Sequence, residues 1–256
     1  MYQIIEYITF IFKSTNQHGV HSPFVYDLIT KCFYDKSNYN AYSEISNYRN
    51  SLLKHKQHIE ITDFGAGSRI FTSNVRAIRS IAKNSGSSLK RAKLLFRIVQ
   101  YFNPQHSLEL GSSLGIATQA LALGNPDGQV TSIEGCSNIS NFTTQQLNEF
   151  KIKNVNLKTG EFSKVISELE NKTYDLIFFD GNHNKNATLE YFHSLIDTAH
   201  NDSVFIFDDI HWSEEMTEAW NIIKNHPSVT VSIDTFFWGF IFFRKEQVKE
   251  NFVIRL

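Results

Sequence analysis

"SLELGSSLGIA", Ser107 to Ala117, decides the fold. It is a short apolar strand carrying an acid, Glu109, that opens into a glycine turn at Gly111 and runs on into a helix. That order places a helix N-terminus at the carboxyl end of a strand, where an α/β protein holds a nucleotide-like ligand. A second stretch, "ITDFGAGSRIF" from Ile61 to Phe71, has the same outline. The two differ in how the chain continues. Beyond Gly111 the helix leads to another strand, "QVTSIEG" (129–135), which ends on Glu134. An acid there can hydrogen-bond the ribose hydroxyls of a nucleoside lying across the strand tips. Beyond Gly65 comes only a basic stretch that reads as helix, so "FGAGSR" is expected to be a loop whose glycines allow positive φ.

Outward from Glu134 the chain keeps alternating strand and helix. Strands are predicted at 106–110, 129–135, 154–160, 174–180 and 203–209, each leading into a helical pattern. "YDLIFFD" (174–180) is continuously apolar, as a strand buried on both faces should be. The last two β-rich runs, "SVTVSID" (228–234) and "FFWGFIFFR" (236–244), are nearly adjacent and must therefore pair antiparallel. The expected fold is an α/β, Rossmann-like seven-stranded sheet with a terminal antiparallel hairpin. The change of character near Asn103-Pro104 divides the chain into a mainly helical cap region, 1–103, and a nucleotide-type domain, 104–256.

Composition narrows the class. With 256 residues, 41% of them hydrophobic, the chain can build a full core. A net charge of -1 does not fit a general polyanion binder. Two cysteines, Cys32 and Cys136, supply neither a disulfide framework nor metal-ligand spacing. The opening "MYQIIEYITFIFK" carries Glu6 and is too short to span a bilayer. These features point to a cytoplasmic protein with no membrane partner. Positive charge is concentrated, however. Arg69, Arg76, Arg79, Lys83, Lys90, Arg91, Lys93 and Arg97 fall between Asp63 and Glu109 with no acid among them. This stretch is either a solvated outer face or a surface that attracts an anionic substrate or RNA. It lacks an interleaved aromatic platform, which counts against nucleic acid.

The pattern Glu109-Leu-Gly-Ser-Ser-Leu-Gly115, the acid Glu134, Asp180 at the end of the fourth strand and the terminal hairpin resemble class I S-adenosylmethionine-dependent methyltransferases. "IEG", "GEFSK" and "FFDGNH" are most similar to the small-molecule O-methyltransferases of the catechol type. "HGVHSPFVYDLI" and "SIDTFFWGFIFFR" also resemble uncharacterised bacterial members of the class. The resemblance covers residues 105–256 most directly. It implies that Gly111, Ser112, Ser113 and Gly115 form the loop approaching the methionine end of S-adenosyl-L-methionine. It also implies that Glu109 holds the amino group, Glu134 with Gly135 the ribose, and Gly160, Glu161 and Phe162 the adenine. Asp180 belongs to both the cofactor and the catalytic sets.

For chemistry, the resemblance implies O-methylation of a small hydroxylated acceptor. Asp180, Asp208 and Asp209 lie at the ends of neighbouring strands and suit Mg²⁺, with a metal-free site using His183 alone as the alternative. The family has two aspartates and an asparagine, so Asp209 adds a charge. The family's lysine base is missing, and His183 takes its place as expected base; His211 is a second candidate. Asp209 and Asn182 are alternatively read as caps of the helices next in the chain. The N-terminal His18, His21, Tyr26 and Asp27 could line a pocket, with no metal expected there, and Ser22-Pro23 reads as a helix start. The competing functions are an RNA or other anionic-substrate methyltransferase using the basic 69–97 stretch, and a non-catalytic nucleotide-binding module. An oxidoreductase would require G-x-G-x-x-G, which Ser113 and Ile116 break. The oligomeric state stays open, a homodimer being one option.

Overall fold

The computed structural model describes residues 1–62, 74–170 and 173–256. The stretch "FGAGSR", with Asp63 and Arg69, falls outside the described residues.

The N-terminal part is mainly helical: α1 (Tyr2–Lys13), α2 (Pro23–Leu28), a π turn (Ile29–Phe33) and α3 (Ala41–Lys54). Pro23 starts α2 with Ser22 as its cap, whose hydroxyl accepts from the Val25 amide at 3.4 Å. Two short strands, β1 (His58–Glu60) and β2 (Val75–Ala77), pair antiparallel before α4 (Ile78–Asn84) and α5 (Leu89–Phe102). Arg76 thus sits on a strand, not on the helix that the basic stretch suggested, because the β1 edge supplies backbone partners just ahead of α4.

The rest alternates as expected. β3 (His106–Leu110) leads to α6 (Ile116–Gly124), β4 (Gln129–Glu134) to α7 (Ser137–Glu149), and β5 (Val155–Thr159) to α8 (Phe162–Ser167). β6 (Leu176–Phe179) precedes α9 (Lys185–Leu195), and β7 (Val204–Asp208) precedes α10 (Glu214–Lys224). β8 (Val231–Asp234) and β9 (Trp238–Phe242) form the antiparallel hairpin, and β10 (Glu250–Val253) closes the sheet. The order is β10-β8-β9-β7-β6-β3-β4-β5, with β3 to β7 all parallel.

The sheet therefore has eight strands, one more than the patterning predicts. β10 lies at the edge beside β8, and of its residues only Phe252 is buried, so no apolar run marks it. Its place is fixed by the backbone ladder from Glu250 opposite Val231 to Val253 opposite Asp234. An isolated bridge from Ile254 to Thr15 adds a tie to the N-terminal part.

Helices cover both faces of the sheet. One core layer joins Val25, Leu28, Ile45, Tyr48 and Leu95 to Ile206, Ile233 and Phe240; the other joins α8, α9 and α10 to Phe179, Phe205 and Phe207. The N-terminal helices thus share a core with the strands of the C-terminal half. Phe33 packs against Phe240 at 5.1 Å and Phe24 against Phe242 at 5.0 Å.

Arg97 clamps this arrangement. Its guanidinium donates to the carbonyls of Cys32 (2.9 Å) and Phe33 (3.1 Å) and to the Tyr42 hydroxyl (3.1 Å). Part of the basic stretch is therefore internal mortar. Arg97→Met should destabilise the fold by about 2–4 kcal/mol, because three acceptors lose a charged donor at once. Chemical denaturation of the variant measures this, and an unchanged midpoint would reject the clamp.

Candidate active site

A cleft of ≈ 690 Å³ opens at the carboxyl ends of the parallel strands. The chain leaves β3 for β4 and β5 on one side and then returns to β6 on the other, so the loops after β3 and β6 diverge and leave a crevice. Its floor is the glycine turn. Gly111 adopts φ +102°, and a Cβ there would lie 2.5 Å from the Asp180 carbonyl oxygen. Only glycine lets the two strand ends approach this closely.

The loop splits its duties. Gly111 and Ser113 line the cleft, whereas Ser112 and Gly115 turn into the core. Ser112 shares a 2.5 Å hydroxyl contact with Ser132, and Gly115, at φ +76°, accommodates the Tyr48 hydroxyl. That hydroxyl also donates to the Leu114 carbonyl at 2.9 Å, so α3 braces the loop from behind.

Glu134 stands across from it. One carboxylate oxygen accepts from the Ser113 amide and the other from the Cys136 amide, both at 2.9 Å. A single side chain thereby ties the β3 loop to the β4 turn while bordering the cleft, 9% exposed. Gly135, Glu161 and Phe162 continue the wall. Gly160 lies behind it, and its amide donates to the Glu134 carbonyl at 3.0 Å. Phe162 packs on Tyr191 at 5.6 Å.

Glu109 is not on the cleft surface. It is completely buried, one oxygen taking the hydroxyls of Thr118 (2.5 Å) and Ser132. Its other oxygen, Oε1, has no hydrogen-bond partner. Burial pushes its carboxyl up to about 7, against the two hydroxyl donors that pull it down.

At the far end of the cleft, Asp180, His183 and Asp208 each offer an atom within 4.8 Å of the others. Burial, and then the neighbouring Asp208 carboxylate, hold Asp180 well above the usual carboxylate range. Asp209 is pushed up to about 6, also by burial first and Asp208 second. Acids crowded in this way are relieved by a cation. Two carboxylates with an adjacent imidazole fit a divalent ion, the carboxylates alone sufficing for Mg²⁺. Asp209 stands outside this trio and lies 3.8 Å from Arg91.

Neither Asp209 nor Asn182 caps a helix. Asn184 caps α9 and Ser213 caps α10, which leaves Asp209 and Asn182 in left-handed turns at φ 52° and 53°. His211 is turned away, its ring nitrogens engaged by Thr217 (3.0 Å) and Asp234 (2.8 Å). His18, His21, Tyr26 and Asp27 also lie away from the cleft, because α2 buries Val25 and Leu28 and faces the outer strands. The N-terminal part instead contributes Ile61, Thr62, Arg76, Ile81, Asn84 to Ser87, and Arg91. Apart from Arg76 and Arg91 in the basic stretch, no motif in the sequence marks these residues or Trp212 as part of a site. A tryptophan shortly after an acid that ends a strand is the one local signal.

Residues 108–210 match a family profile described as a methyltransferase domain. No curated protein sequence matches the chain. Among solved structures, the S-adenosylhomocysteine-bound methyltransferase of Podospora anserina is similar, with TM-score 0.62 and 14% identity over 88% of this chain and 97% of that one. An O-methyltransferase of Bacillus cereus in complex with S-adenosylhomocysteine gives TM-score 0.56 and 16% identity, covering 82% and 94%. The S-adenosylmethionine complex of a Streptomyces achromogenes O-methyltransferase involved in tomaymycin synthesis gives 0.58 and 14%, covering 81% and 91%. The fold is that of these solved methyltransferases, and the part of the chain that matches the methyltransferase-domain profile, residues 108–210, contains the glycine loop, Glu134, Asp180 and Asp208. Among the described residues no helix is long and apolar enough to cross a membrane.

The Glu109 carboxyl has a pH signature. Its folded value, about 7, lies above the ordinary 4.5, so the native state holds the proton more tightly. Its contribution to stability is complete below pH 4.5 and is lost as pH rises through 7. Glu109→Gln, neutral throughout, should therefore gain stability relative to wild type as pH goes from about 4.5 to about 8. Thermal unfolding across that range tests it, and a pH-independent difference would contradict the buried carboxyl's role.

Proposed function

We propose that the chain, a class I S-adenosylmethionine-dependent methyltransferase by its matched domain and its fold, methylates a hydroxyl oxygen of a small acceptor. The observation that carries this reading is the pairing, in one cleft, of Glu134 at the nucleoside end with Asp180, His183 and Asp208 at the other. The similar Bacillus cereus and Streptomyces proteins, solved with S-adenosylhomocysteine and S-adenosylmethionine, support the same assignment.

In this reading residues 104–256 hold the methyl donor and residues 1–103 close the acceptor side through Arg76, Ile81 and Arg91. Glu134, held by the Ser113 and Cys136 amides, takes the ribose hydroxyls from the cleft side. Gly111 and Ser113 admit the methionine end, Gly135 keeps the wall open, and Glu161 with Phe162 borders the adenine. Ser112, Gly115 and Gly160 act from behind by shaping the loop. Glu109 acts from behind too, and its unpartnered Oε1 is the atom that an amino group, directly or through water, would satisfy.

The cofactor supplies a methyl group already activated as a sulfonium, so the protein has to align the acceptor and take its proton. A ring nitrogen of His183 accepts that proton as the acceptor oxygen forms its bond to the methyl carbon. The electron pair of the broken carbon–sulfur bond stays on sulfur. Asp180 and Asp208 would hold Mg²⁺, which lowers the pKa of a bound hydroxyl. The small cleft and the internal use of Arg97 favour a small acceptor over RNA.

Two measurements test this. Glu134→Ala should weaken S-adenosylhomocysteine binding by ~1–3 kcal/mol in calorimetry, with NADH as the non-binding control. Equal affinity in variant and wild type would remove the nucleoside site. With a hydroxylated acceptor, His183→Ala should lower turnover by ~10²–10⁴ while sparing cofactor affinity. Full turnover in that variant would eliminate the base.

A further inference from the structure

We infer that Arg91 is the resident counter-cation of the acidic centre, and that a divalent cation has to compete with it for the Asp208 carboxylate. The inference rests on the metal reading of the proposed function. Arg91 is the third residue of α5, and its backbone amide donates to the capping Ser88 hydroxyl at 3.3 Å. From there its side chain lines the cleft and reaches the acidic centre. One guanidinium nitrogen lies 3.4 Å from Asp208 Oδ1 and the other 3.8 Å from Asp209 Oδ1. The guanidinium also sits over the Phe237 ring, 4.5 Å from its centroid.

The left-handed turn at Asp209 presents two successive carboxylates to one fork, and the aromatic face holds that fork in place. Asp208 is at the same time a member of the trio with Asp180 and His183. Its side chain is only 9% exposed, so water screens the contest weakly. One carboxylate thus faces two cationic claimants.

A guanidinium stays charged at any working pH, so Arg91 never leaves the contest by losing a proton. Two positive groups sharing a small enclosed space repel each other as well. Affinity for the cation is therefore set partly by α5, an element of the N-terminal part, and not by the ligands alone. Removing the Arg91 charge should tighten divalent binding by on the order of tenfold or more, since a full charge only a few ångströms away is lost from a poorly screened site.

The test titrates Mn²⁺ into the full chain by calorimetry, with electron paramagnetic resonance counting free ion. Arg91→Gln should bind Mn²⁺ about tenfold tighter than wild type. Arg91→Lys, which keeps the charge, should gain less, and Asp208→Asn should weaken binding in every background. Arg91→Met replaces the glutamine variant if thermal unfolding shows the latter misfolded. Equal or weaker binding in Arg91→Gln, an equal gain in Arg91→Lys, or no Mn²⁺ binding in any variant would overturn the competition. Binding of S-adenosylhomocysteine to the wild type reads the proposed function separately. Its presence without a gain on losing Arg91 defeats only this inference, and its absence defeats only the methyltransferase site.

Discussion

The site depends on the close approach of two strand ends. β3 lies between β4 and β6, and its glycine turn comes so near the Asp180 carbonyl that no side chain fits at Gly111. The chain departs from β3 in one direction and comes back on its other flank. The loops after β3 and β6 must then part, and the cleft is the space they leave. A bulkier residue at Gly111 would push the β6 end outward and carry Asp180 and His183 with it.

Around that crevice the charge is arranged in layers. Glu134 spends both oxygens on backbone amides, which fixes its position before any ligand arrives. Asp180, Asp208 and Asp209 come from two adjacent strand ends, and burial first, then the neighbouring Asp208 carboxylate, raises the proton affinity of Asp180 and Asp209. Arg91 answers them from a helix of the N-terminal part. Such pre-positioned polar groups in a partly enclosed cleft act strongly because little solvent remains to dilute them. The same enclosure explains Glu109, whose carboxyl is isolated beneath the glycine loop and held there by two hydroxyls.

The N-terminal helices serve the site by way of the core. Tyr48 supports the glycine loop from α3, and Arg97 joins α5 to the π turn and to Tyr42. With those anchors made, the α4–α5 connection lies along the cleft and brings Asn84 to Ser87 and Arg91 to its edge. The apolar packing of Phe24 and Phe33 against β9 keeps α2, and with it His18 and His21, on the far side.

The sequence by itself determined the alternating strand and helix order, the terminal hairpin, the glycine turn at Gly111 and the acids at Glu134 and Asp180. These are written in local periodicity and in residues whose backbone or charge has few other uses. It did not reveal the eighth strand, because an edge strand with one buried residue leaves no apolar run. Nor could it say that Glu109 is sealed from the cleft, that His211 faces Asp234 and Thr217, or that Asp208 comes near both His183 and Arg91. Those facts depend on how helices far apart in the chain settle on the sheet, and side chains that meet across such distances leave no spacing in the sequence to read.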